Sequence, residues 1–165
     1  MHWVTSSTRQ FARDDQTGVT VEFVATLPMI LAALAIVFEF GRGLWYHHIV
    51  TKGVRDAARY AARYPAPPGT ICENLDDALR ARTQRVALSG TPDGTTSPIF
   101  WTNPETVTVN TKEITYDPPL RTPACQVTVR ADVPYNLTLL TAFSGFWHVD
   151  PITIIVQDEA RYAGD

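Results

Sequence analysis

From Val19 to Phe38 the chain is almost wholly apolar, broken by one carboxylate at Glu22 and closed by another at Glu39. About 20 residues at roughly 1.5 Å each cross a hydrocarbon core of about 30 Å, so this run predicts a membrane-length helix. Pro28 lies inside it and predicts a kink, which neighbouring groups can accommodate in a membrane. The helical period does not stop where the apolar run stops. Val50, Val54, Ala57 and Ala61 recur at i, i+4, i+7 and i+11 and share one stripe. Lys52, Arg55, Arg59 and Arg63 fall on the opposite face. The pattern therefore predicts one rod from about Val19 to Tyr64, loosened at Gly41 and Gly43, with Trp45 and Tyr46 at headgroup level. The stretch "PAPPG" from Pro65 ends it.

Beyond that point the pattern changes to that of a small soluble domain. Thr70-Ile71-Cys72-Glu73 fits an S/T-x-x-E capping box and predicts a second helix over about Ile71–Leu88. Its apolar face is Ile71, Leu75, Ala78, Leu79 and Val86, and Gly90 stops it. Cys72 shares the stripe of Leu75 and Leu79. "ETVTVNT" and "KEITYDP" carry strand signals. "CQVTVRADV" alternates cleanly, with Cys125, Val127, Val129, Ala131 and Val133 on one face, as a half-buried antiparallel strand does. "DPITIIVQDEA" predicts a last strand with Ile152, Ile154 and Val156 on one side and Ile155 on the other. "YNLTLLTAFSGFWH" reads as a short helix or an irregular excursion. The fold class is α+β: a long N-terminal transmembrane helix continuing into a small external domain with a second helix and a three- to four-stranded antiparallel sheet. The expected boundaries are a leader at 1–18, a transmembrane helix at 19–40, its extramembrane continuation at 41–64 and the α+β domain at 65–165.

Composition narrows the function. A chain of 165 residues with a net charge of −3 lacks the basic surface that phosphate neutralisation needs, so nucleic acid is not an expected partner. The apolar run ends in "FEFGRG", without the small-residue cleavage site of a secretory signal. His47 and His48 are adjacent, about 100° apart on a helix, and not at the i, i+4 spacing of paired metal ligands. Glu73, Asp76 and Asp77 suit a helix start, where acids favour the macrodipole. Asn136–Thr138 matches a glycosylation sequon of the kind that is frequent by chance. The chain has no nucleophile elbow, HExxH, P-loop or dinucleotide fingerprint, so no enzyme and no cofactor is expected. Cys72 and Cys125 both face the core of a helix and strand that must pack together. They read either as two separate buried thiols or as one disulfide, which closes a loop of about 50 residues and stabilises by about 3–4 kcal/mol.

Glu22 has two readings. It reaches back to the headgroups, or it pairs with a positive charge supplied by something else in the membrane. The residues around it bear on the choice. "TGVTVEF" resembles the processing site of type IV prepilins, in which a membrane peptidase cuts after a glycine ahead of an apolar helix with a glutamate at its fifth position. "TVEFVATLP", "FEFGRG" and "TKGVRDAARYAARYP", in that order over Thr17 to Tyr64, are similar to the TadE/TadG family, pilin-like minor components of tight-adherence (Flp-type) pilus systems. The resemblance implies processing near Thr17, Gly18 and Val19. There is one departure: with Val19 first, Glu22 is fourth, and fifth place requires a cut between Thr17 and Gly18, with Thr where the family has Gly.

What the resemblance implies is a minor pilin or pseudopilin that takes part in assembly, priming or tip formation. Its partners would be prepilin peptidase, membrane lipid and other pilin-like subunits, met through the N-terminal helix. Glu22 would then neutralise the new α-amino group of a neighbouring subunit. The alternative is a single-pass anchored binding or scaffold module that is never processed. Arg9 and Arg13 before the run, against Arg42, Lys52 and Arg55 after it, mildly favour an inward C-terminal domain by the positive-inside rule. The leader resemblance and the cysteine pair place that domain outside the bacterial inner membrane. The basic stripe of Lys52, Arg55, Arg59 and Arg63 is either a plain solvated face or a surface for anionic lipid or an acidic partner.

Overall fold

The computed structural model describes residues 15–65, 72, 75–98, 100–114, 124–138 and 150–162. They divide into two units at the Gly41–Arg42 bond, the first also taking in Thr138. Helix α1, Asp15–Ala62, is one 48-residue element that runs through Pro28, Gly41 and Gly43 without interruption. It starts four residues before the predicted rod and ends two residues short of it.

In the first unit the helix is almost bare. Apolar side chains from Val19 to Phe40 stand exposed, and Ala35 and Glu39 are the buried residues of this stretch among those described. This is the one helix long and apolar enough to cross a membrane among the described residues. Thr26 Oγ1 donates back to the carbonyl oxygens of Glu22 and Phe23, at 3.0 and 3.1 Å. Its hydroxyl is thereby satisfied inside the helix, which a hydrocarbon environment requires.

In the second unit the same helix becomes the spine of a domain. Val50, Val54, Ala57 and Ala61 have no solvent exposure, and Ala58 and Ala62 widen the buried face. They share a core with Leu79, Val86, Trp101, Val107, Val109, Val127, Val129, Ala131 and Val133. Full burial of one such valine stabilises by about 1.5–3 kcal/mol, so the predicted stripe is the dominant attachment of helix to domain.

Helix α2, Asp77–Ser89, begins later than the sequence pattern implied. Its N-cap is Asp76, whose side chain accepts from the Ala78 N–H, and Gly90 closes it in the left-handed region at φ 79°. Thr70, Ile71 and Glu73 of the expected capping box lie outside the described residues. The buried face is Leu79, Thr83, Val86 and Ala87. Ala78, expected on that face, is exposed. The buried Thr83 hydroxyl donates to the Leu79 carbonyl at 2.8 Å.

The sheet has three strands in the order β1-β2-β3, spanning Val107–Ile114, Ala124–Tyr135 and Ile152–Arg161. Both pairings are antiparallel, with Val129 opposite Val109 on one side and Asp158 on the other. Strand β1 absorbs the start of "KEITYDP", and Tyr116 lies outside the described residues. So does most of "YNLTLLTAFSGFWH", of which Tyr135 ends β2 and Thr138 is helical. Central strand β2 contains Pro134, which the register explains. Tyr162 N–H donates to the Cys125 carbonyl, so odd-numbered residues of β2 bond to β3. Pro134 is even-numbered, and its missing N–H faces the β1 side, where pairing has already ended at Ala131. Trp101 fills the core beside β1, its indole N–H donating to Thr106 Oγ1 at 2.9 Å.

Gly53 sets the approach of the two helices. A Cβ there would collide with the Ala87 carbonyl oxygen and stand 3.0 Å from the Trp101 ring. Gly41 meets nothing within 4 Å. Gly53→Ala is expected to lower stability by about 1–3 kcal/mol through overpacking, whereas Gly41→Ala should be neutral or slightly stabilising. Thermal unfolding of the two variants side by side checks this. Equal midpoints would show that the contact at Gly53 is slack.

Candidate functional site

Glu22 sits two turns into α1, between exposed apolar neighbours, and is itself exposed. Its carboxylate makes no hydrogen bond or ion pair with any described residue. Val19, Val21, Phe23 and Val24 around it are all more than half exposed, and Thr26 lies one turn on. Of the expected processing positions, Gly18 and Val19 are exposed on the same helix, and Gly18 has open space around it. Thr17 is helical as well.

A second cluster went unread in the sequence. Where the second unit begins, Arg42 is half-buried, and its Nε donates to the Tyr135 hydroxyl at 3.1 Å. Its terminal nitrogen donates to the Asn136 carbonyl at 2.9 Å. The guanidinium also lies 5.3 Å from the Tyr135 ring centre and 5.9 Å from that of Tyr46. Tyr46 stacks face to face on Phe100 with centroids 3.7 Å apart and meets Tyr135 edge-on at 5.4 Å. Of the two aromatic residues expected at headgroup level, Trp45 is 59% exposed and Tyr46 is half-buried among aromatic rings. Arg42 had counted only as a topological charge. The signal missed was its i, i+4 spacing to Tyr46, which puts a guanidinium and an aromatic ring on one face.

The basic stripe does not act as one surface. Arg55 reaches Asp158 on β3 at 3.8 Å. Both partners are exposed, so this pair contributes little. Lys52 is exposed, and Arg59 and Arg63 line a groove between α1 and α2. On the solvent face of the sheet, Arg130 and Asp132 form a tight pair at 3.0 Å. The hydrogen bond and charge of that carboxylate hold the guanidinium pKa above its ordinary value.

Cys72 and Cys125 are joined in a disulfide with their Cα atoms 5.7 Å apart. It ties the segment before α2 to central strand β2 across 53 residues. No group of three or more potential metal ligands gathers among the described residues.

Residues 18–59 match the family model described as TadE-like protein. The match begins at the bare part of α1 and ends within the buried part, three residues before the helix does. No curated protein and no solved structure matches the chain.

Two measurements test this geometry. Tyr135→Ala removes the ring that Arg42 and Tyr46 pack on and should cost about 3–5 kcal/mol, while Tyr135→Phe should cost only about 1 kcal/mol. Equal losses in denaturant titration would show that the hydroxyl, not the ring, matters. Non-reducing peptide mass spectrometry should recover Cys72 linked to Cys125, and Cys72→Ser with Cys125→Ser should lower stability by about 4 kcal/mol. Readily alkylated thiols in protein from its native compartment contradict the bridge there.

Proposed function

From a chain that carries a TadE-like segment over residues 18–59, we propose a membrane-anchored, pilin-like subunit of a tight-adherence pilus system. The observation that carries this reading is the two-part character of α1. The family match falls on a single helix whose first half presents apolar side chains outward and whose second half is the core of a domain. A helix of that kind anchors a folded domain to a lipid bilayer. It also offers its bare half to other helices when the subunit leaves the bilayer.

The reading carries these boundaries. Residues 1–18 are the cytoplasmic leader, 19–40 the span of the bacterial inner membrane, 41–64 its external continuation and 65–165 the external domain. A disulfide within that domain accords with an oxidising compartment. Prepilin peptidase cuts beside Gly18, and the new α-amino group is met by Glu22 of a neighbouring pilin-like subunit. In the low dielectric of a helix bundle such a pair compensates two charges that would each be expensive alone. The role is one of assembly, priming or tip formation, with no chemistry performed by the chain itself.

Intact-mass measurement of membrane-extracted protein, with and without the peptidase, tests processing. A mass unchanged by the peptidase supports an unprocessed anchor module instead. Glu22→Gln tests assembly separately. The variant should insert and be cut normally but lose its pilin partners. Removing one member of a buried pair costs about 3–5 kcal/mol, or roughly a hundredfold or more in association. Undiminished co-purification of partners with the Gln variant would return Glu22 to a headgroup contact.

A further inference from the structure

The groove between α1 and α2 has features that are independent of the pilus reading. It is an open cavity of about 610 Å3, within the size range of sites for small ligands and short peptides. Arg59 and Arg63 stand on its floor one turn apart, both exposed. Other arginines of the domain are engaged: Arg42 by Tyr135 and Asn136, Arg55 by Asp158, Arg80 by Asp77, Arg82 by the Tyr64 hydroxyl, and Arg130 by Asp132. The Arg59 and Arg63 guanidinium groups have no hydrogen-bond or ion-pair partner among the described residues. Asp56, a turn before them in the same groove, pairs with neither. Tyr60 and Tyr64 line the groove beside the two arginines, with Val86 of α2 across it. Tyr64 is fixed by Arg82 on its hydroxyl and by the Tyr162 hydroxyl, which donates to its carbonyl at 3.0 Å. The site is thus built on side chains held in place, with two guanidinium forks presented to solvent.

We propose that this groove binds an extended acidic peptide segment of a partner protein, with Arg59 and Arg63 each taking one carboxylate. Arg59 is in the last turn of α1 and Arg63 just past its end, turned by the bond from its N–H to the Tyr60 carbonyl at 3.2 Å; four residues at helical rise span about 6 Å. Carboxylates two apart on an extended strand are separated by about 6.6–6.8 Å. An acid-x-acid sequence therefore sets both charges opposite the two forks, while the intervening residue points away. Bidentate geometry favours carboxylate at arginine. Tyr60 and Tyr64 supply apolar surface for the aliphatic parts of the peptide. Asp56 excludes a third acid on its side, which fixes the direction and length of the acidic pair. A lipid headgroup does not fit as well. Arg59 follows Trp45, the residue placed at headgroup level, by about 14 residues, which is roughly 21 Å of helix, whereas the headgroup layer is only about 5–8 Å thick.

The test uses the full chain in detergent micelles and a fluorescein-labelled, end-blocked peptide Ser-Asp-Leu-Asp-Ser, read by fluorescence anisotropy. Binding should weaken with salt and fall tenfold or more in the double variant Arg59→Gln, Arg63→Gln, whose exposed positions leave the fold intact by circular dichroism. Lys52→Gln, on the same stripe but outside the groove, should bind normally. Asp56→Asn should tighten binding several-fold. The peptide Ser-Asn-Leu-Asn-Ser should not compete. No binding of the acidic peptide at millimolar concentration overturns the proposal, as does equal binding by the double variant. Preferential binding to phosphatidylglycerol vesicles through Arg59 and Arg63 overturns it in favour of lipid. Concentration-dependent self-association lost in the double variant overturns it in favour of a second copy of this chain.

Discussion

The stripe of Val50, Val54, Ala57 and Ala61, closed from solvent against the valines of β2, is the constraint on which the rest depends. These four side chains are small and wholly buried in the core they share with β1 and β2. Gly53 brings the helix close to α2, with the Ala87 carbonyl lying where a side chain would be. A helix seated this tightly by its second half cannot be moved without opening the core. Toward its start the same helix runs through Pro28, which removes only one backbone hydrogen bond. The domain is thus not tethered to an apolar segment by a linker. Both are built on the same helix.

The same economy governs the ends of the sheet. At one end Arg42, Tyr46, Phe100 and Tyr135 form an aromatic cluster around a guanidinium. At the other the disulfide fixes Cys125, and the backbone of Tyr162 closes the β2–β3 ladder beside it. Gln84 on α2 donates to the Val107 carbonyl at 2.9 Å, occupying an outward-facing group on the edge of β1. Each device satisfies a polar group or a ring that the three-strand sheet, small as it is, leaves at its boundary. The described residues hold no buried side-chain polar atom without a partner.

Much of this was legible in the sequence because it rests on period. A 3.6-residue repeat of small apolar residues marked the buried face of α1, and strict alternation marked the inward residues of β2, from Cys125 to Val133. The family resemblance came from an order of short motifs in the same helix, and the match over residues 18–59 falls where those motifs lie. What was not legible depends on groups far apart in sequence. Nothing local says that Arg42 will meet Tyr135, 93 residues away, or that Phe100 will stack on Tyr46. The start of α2 at Asp77 was not legible because nothing in the local pattern marks Asp76 as the residue whose side chain accepts the Ala78 N–H. The groove was invisible for the same reason. Arg59 and Arg63 look like any solvated stripe until the second helix supplies the other wall.

Hydrogen exchange of the full chain in lipid nanodiscs tests the central claim most directly, because it reads every amide of α1 separately. If one helix serves two environments, amides from about Val21 to Phe38 are protected by lipid and amides from Val50 to Ala61 by the domain core. Val54→Asp, which buries a charge in that core, should then release the second set by orders of magnitude and leave the first unchanged. Simultaneous loss of protection along the whole helix, or free exchange of the apolar half in the bilayer, would contradict the account.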